Sequence, residues 1–65
     1  MYYQHINDLI GRNAEVDIGD HDPNNGDYGK IVAVKKAQDG DDLATLEFAD
    51  GTQQEFRVGD LAISF

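Results

Sequence analysis

The apolar residues of the chain change their spacing once, near residue 13. Tyr2, Tyr3, Ile6, Leu9 and Ile10 recur at intervals of three and four, and Gly11 follows them. That is one helix face ending at a C-terminal cap, so a short helix is expected over residues 2–10. From Ala14 the period becomes two: Ala14, Val16 and Ile18 alternate with Glu15 and Asp17, as on a half-buried strand with one wet face. Residues 19–29 gather Asp, Asn, Gly and the single Pro and read as a loop. A second strand is expected from Lys30 to Lys36, with Ile31 and Ala33 on one face and Val32 and Val34 on the other. After a charged turn at Gln38 to Asp42, the segments Leu43 to Ala49 and Gln53 to Val58 flank Asp50-Gly51, a hairpin signal.

Side-chain parity selects the register of that hairpin. A two-residue loop would set Phe48 opposite Gln53 and Leu46 opposite Glu55, mixing apolar and polar residues on one face. A shift by one residue sets Leu46 opposite Phe56, Ala44 opposite Val58 and Thr45 opposite Arg57 on the wet side. Because a one-residue slip reverses every side chain, the second register is expected, through a three-residue loop or a bulge at Gly51. It leaves Glu47 facing Glu55. Gly59-Asp60 then marks a tight turn, and Leu61, Ile63 and Phe65 alternate in a closing strand. Five short strands at this spacing predict an all-β fold, a small five-stranded barrel over residues 13–65, with the short N-terminal helix of residues 1–12 plugging one end. Val16, Ile18, Ile31, Ala33, Leu46, Phe48, Phe56, Val58, Leu61 and Ile63 form the expected inward set.

Composition narrows the functions open to such a fold. At 65 residues the chain holds one domain, and without Cys it has neither disulfides nor a cysteine-ligated metal or redox motif. Its formal charge of −8 opposes DNA, RNA and anionic lipid, whose phosphates would be repelled. No apolar run approaches the roughly 20 residues of a membrane helix, and MYYQHINDLI has no signal-peptide pattern, so a soluble, cytoplasmic protein is expected.

From Gly29 to Ile63 the chain resembles the SH3-like barrels of the Tudor class. The residues that carry the likeness are Gly29-Lys30-Ile31-Val32-Ala33-Val34, Ala44-Thr45-Leu46-Glu47-Phe48-Ala49-Asp50-Gly51-Thr52, and then Phe56, Val58, Asp60 and Leu61. The stretch Gly26 to Val34 also looks like a KOW module. The Tudor resemblance implies cage-like positions for Phe48 and Asp50, with Tyr28 a possible second ring around a cationic side chain. Val16 to Pro23 contains no aromatic residue, where such a cage takes a further ring. The RNA contacts that KOW modules make through basic loops do not carry over to acidic ones.

Little in the chain points to catalysis. Asp20, Asp22, Asn24 and Asp27 superficially suggest a calcium loop, but aligned on Asp20 the required glycine falls on Asn25 and the bidentate acid on Ile31. His21 lies between two carboxylates without a Ser or Cys at a suggestive spacing, and Ser64 is the only serine. No enzyme activity, metal or cofactor is expected. The acidic clusters remain: Asp20, Asp22 and Asp27 in one loop, Asp39, Asp41 and Asp42 in another. The expected function is a protein-interaction module that binds a basic protein surface, the acids steering the encounter and Tyr28, Phe48 and Asp50 supplying contact. Two alternatives stay open. One is an acidic mimic of nucleic acid, with Glu15 and Asp17 about 6.6 Å apart on one strand face, blocking a DNA- or RNA-binding protein. The other is a reader of modified peptides, which needs Phe48 exposed. Tyr2, Tyr3 and Ile6 are a candidate surface for a second copy.

Overall fold

The structure is a computed structural model that describes residues 5–37, 40 and 42–64. Five strands build one antiparallel sheet: β1 (Asn13–Val16), β2 (Tyr28–Lys35), β3 (Leu43–Phe48), β4 (Gln53–Arg57) and β5 (Leu61–Ile63). Their spatial order is β4-β3-β2-β1-β5. The all-β class and the strand number agree with the sequence pattern, but the sheet is not closed, so β4 and β5 are edges. A single 3₁₀ turn, Val58–Asp60, joins them. No helix among the described residues is long and apolar enough to cross a membrane.

The buried set is Leu9, Ala14, Val16, Ile31, Ala44, Leu46, Phe56, Val58 and Leu61, which form one cluster. Ile6, Ile18, Val34, Phe48 and Ile63 pack against it, partly buried. A flat sheet with one covered face would make a slab only about 10 Å thick. The molecule measures 29 × 22 × 20 Å, so the sheet curls around its apolar face.

Three expectations are corrected. The N-terminal helix is, in the described residues, one 3₁₀ turn at Ile6–Leu9. With three residues per turn, Ile6 and Leu9 share a side and Ile10 falls off it. Leu9 is accordingly fully buried and Ile10 is 48% exposed; Tyr2 and Tyr3 lie outside the described residues. Secondly, Ile31 pairs with Leu46 but Ala33 pairs with Thr45, so β2 bulges at Val32. The extra residue exchanges the two faces beyond it: Val34 turns to the core and Ala33, expected inside, is exposed.

The third correction concerns the β3–β4 hairpin. Its loop is the expected three residues, Ala49-Asp50-Gly51, closed by Phe48 N–H donating to Thr52 O and Gly51 N–H to Phe48 O, both at 2.9 Å. Gly51 at φ +86° supplies the left-handed residue that such loops require. The pairs are Ala44 with Phe56, Thr45 with Glu55, Leu46 with Gln54 and Glu47 with Gln53. Every side chain keeps its expected face, but the partners are two residues away from the expected ones. The slide removes the Glu47–Glu55 clash, and Gln53 Nε2 donates instead to Glu47 Oε2 at 3.0 Å.

The bulge predicts opposite outcomes at adjacent positions. Ala33→Lys should change unfolding free energy by no more than about 0.5 kcal/mol, as at an ordinary surface site. Val34→Lys, which forces an ammonium against the core, should cost about 2 kcal/mol or more. Denaturant titration of both variants compares them directly, and the reverse ranking would mean that β2 runs without the bulge.

Candidate functional site

One end of the curled sheet carries a groove of about 440 Å³, lined by Asn24, Asp27, Tyr28, Phe48, Ala49, Asp50, Thr52 and Gln54. The lining comes from the β1–β2 loop, the start of β2, the end of β3, the hairpin loop and the start of β4. Sequence position separates these segments; antiparallel pairing brings them together, since Gly29 stands opposite Phe48.

The two rings differ in setting. Tyr28 is 56% exposed, at the rim. Phe48 is half-buried and meets Phe56 edge-to-face, with centroids 6.4 Å apart and ring planes at 81°, a favoured aromatic geometry. Gly29 makes room for it. A Cβ there would stand 2.7 Å from the Glu47 carbonyl oxygen and 3.2 Å from Phe48 Cδ1, so any side chain at 29 would push strand or ring aside.

The Asp50 carboxylate and the Asp27 backbone are held by their loops. Asp50 Oδ1 accepts from the Thr52 hydroxyl at 2.6 Å and from the Thr52 N–H at 3.0 Å. The hydroxyl first, and the amide second, stabilise the ionised form and lower the Asp50 pKa below the ordinary aspartate value. Asp27 closes the β1–β2 loop: its carbonyl accepts from Val16 N–H at 2.8 Å and its N–H donates to Asn24 O at 3.0 Å. Within that loop Asn25 Oδ1 accepts from the N–H groups of Ile18 at 3.0 Å and Gly19 at 3.2 Å. Asp22 Oδ1 takes the Asn24 N–H at 2.8 Å. An acidic loop of this length is thereby folded into successive turns.

Of the residues expected to form a site, Asp27, Tyr28, Phe48 and Asp50 meet at the groove. Asp20 and Asp22 belong to the same β1–β2 loop, outside the lining. Asp42 stands beyond the other end of β3, where its carbonyl accepts from Val58 N–H at 2.9 Å. Six steps of strand, roughly 20 Å, separate it from Phe48, so Asp42 stands at the opposite end of the β2–β3 hairpin from the acids of the β1–β2 loop. Asp39 and Asp41 lie outside the described residues. Glu15 and Asp17 are both exposed. Among the described residues no three His, Asp or Glu side chains are grouped as metal ligands would be.

Asn24, Thr52 and Gln54 line the groove but are not among the expected contact residues; Asn24 enters only the rejected calcium-loop pattern and Thr52 only the family resemblance. Asp50-Gly51-Thr52 carries a signal for one of them, since an Asp two residues before a Thr forms an Asx turn. Asn24 and Gln54 reach the groove only through tertiary placement. Searches against protein-family models, curated proteins and solved structures find no match for this chain.

Thr52→Val should raise the Asp50 pKa toward the ordinary value, because it deletes the leading donor to the carboxylate; NMR titration of the Asp50 side chain reads this directly. A depressed folded-state pKa stabilises the protein above the unfolded aspartate pKa, and that contribution disappears as pH falls through the folded value. The stability difference between wild type and variant should therefore shrink in acid, and a difference that stays constant through that range would remove the hydroxyl as its cause.

Proposed function

We propose that this protein is a small, soluble, cytoplasmic, non-enzymatic interaction module whose groove receives a basic segment of another protein. The observation that carries the reading is the convergence of two aromatic side chains, Tyr28 and Phe48, with two carboxylates, Asp27 and Asp50, on one groove. A Lys or Arg side chain is attracted to an aromatic face by the ring quadrupole, and a carboxylate beside the ring adds charge and hydrogen-bond acceptors. The Thr52 hydroxyl and N–H lower the Asp50 pKa and so favour its ionised form. Gln54 and Thr52 offer polar contacts around the cation.

The β1–β2 loop gives the groove its approach. Asp20 and Asp22 stand in the loop that delivers Asp27, so a basic partner meets negative potential before it meets the rings. Charges so placed act chiefly on association rate and on the choice of partner. Asp42 adds to the long-range field from the far end of the hairpin. We also read the curled sheet as an SH3-like barrel of the Tudor or KOW class. The strand order β4-β3-β2-β1-β5 and the lone 3₁₀ turn between β4 and β5 support that reading.

Stopped-flow measurements with an arginine-rich probe peptide separate steering from contact. Asp20→Asn, Asp22→Asn and Asp27→Asn combined should slow association at low salt by about tenfold, with the difference fading as the Debye length falls below ~10 Å. Tyr28→Ala should raise Kd by about tenfold, as expected of an aromatic anchor. An unchanged association rate would remove the steering role, and an unchanged Kd would remove Tyr28 from the contact.

A further inference from the structure

We infer that the basic segment binds as an added β-strand along the free edge of β4, beside the groove; this inference rests on the groove reading given above. The hydrogen-bond phase of the hairpin decides which backbone groups of β4 are available. Phe48 N–H donates to Thr52 O and Val58 N–H donates to Asp42 O. Alternate residues point their polar groups to the same side of an antiparallel strand. Gln54 and Phe56 therefore direct N–H and C=O toward β3, while Gln53 and Glu55 direct theirs outward. Among the described residues no second strand pairs along this edge: β3 is the only strand that β4 pairs with.

Natural sheets guard such edges by shortness, proline or charge. The opposite edge, β5, is only three residues long, whereas β4 has five, and none of the five is Pro or Lys. Its guard is Glu55, which is exposed. In the longest antiparallel pairing of two β4 strands, Gln53 meets Arg57 and Glu55 meets Glu55, so like charges face each other at the centre. The register that sets Glu55 against Arg57 covers only residues 55–57, because the turn Val58–Asp60 follows. The edge thus resists a second copy of this chain, which also carries the charge of −8, and admits a strand with a Lys or Arg opposite Glu55.

The side chains of an added strand would alternate between two faces. One set stands beside Glu55 on the outer face. The other stands beside Gln54 and Phe56, and Gln54 lines the groove. The ligand class is therefore an extended segment with basic residues at two adjacent positions, one beside Glu55 on the outer face and the next reaching over Gln54 toward Asp50, held by main-chain hydrogen bonds along β4. Main-chain pairing supplies affinity and the side chains select the partner, as in strand addition generally.

The test uses the full chain and a blocked hexa-arginine peptide, which presents cations to both faces, at low salt, with amide hydrogen exchange followed by NMR. Saturating peptide should slow exchange at Gln53 and Glu55 by about tenfold or more, and Glu55→Pro, which removes only an outward N–H, should raise Kd by about tenfold. Glu55→Lys, which keeps the backbone donor, should weaken binding similarly and guards against misfolding of the proline variant. Peptide binding that shifts Tyr28 and Phe48 signals without protecting the Gln53 and Glu55 amides would overturn strand addition and leave the groove reading intact. No binding to wild type at all would overturn both. Protection of the two amides by raised protein concentration without peptide would show that a second copy takes the edge, and would overturn the choice of partner.

Discussion

A single apolar face has to serve five strands, and the rest of the structure follows from keeping every strand in phase with it. The core holds a handful of small and medium side chains, from Ala14 and Ala44 to Leu9, Leu46 and Phe56, and a chain of this size without Cys has little else to hold it together. One strand out of phase would send its apolar residues into water. Two local irregularities maintain the phase. The bulge at Val32 turns Val34 inward once Ile31 has been placed. The left-handed Gly51 closes a three-residue loop that keeps Ala44, Leu46 and Phe56 on the same side.

The groove is a consequence of how that face ends. Where β2 begins and β3 ends, the core gives way to Phe48, half in the cluster and half in the groove, over a glycine that leaves it room. The β1–β2 and β3–β4 connections both emerge at this end, and each is held by its own polar side chains: Asn25 clasps the N–H groups of Ile18 and Gly19, and Asp50 clasps Thr52. These bonds fix the course of both connections and the orientation of the Asp50 carboxylate. Because the sheet stays open, β4 is an edge strand, and its Gln54 lines the groove.

Strand existence, side-chain facing in β1, β3 and β4 and the length of the β3–β4 loop were legible in the sequence, because period-two alternation and Asp-Gly turn chemistry are local properties of the chain. The same local signal placed Phe48 and Asp50 in a candidate site. Local patterning misled where tertiary packing competes with it. The stripe from Tyr2 to Ile10 suits a helix as well as a 3₁₀ turn, and only docking of Leu9 distinguishes them for the described part. Ile31-Val32-Ala33-Val34 is apolar on both faces, so alternation carries no information about where an extra residue is inserted. The slide of β4 by two residues preserves facing and is invisible to any parity argument.

The sequence by itself determined that this chain is a small, strongly acidic β-protein with a loop within residues 19–29 and turns at Asp50-Gly51 and Gly59-Asp60, since composition and alternation do not depend on the fold around them. Only the tertiary structure decided which acids act together. Asp27 and Asp50 are distant in sequence yet share a groove, while Asp42 stands roughly 20 Å from Phe48, because antiparallel pairing sends alternate connections to opposite ends of the sheet. It also decided that β4 is an edge. Edge position depends on the order β4-β3-β2-β1-β5, a relation among all five strands that no single segment encodes.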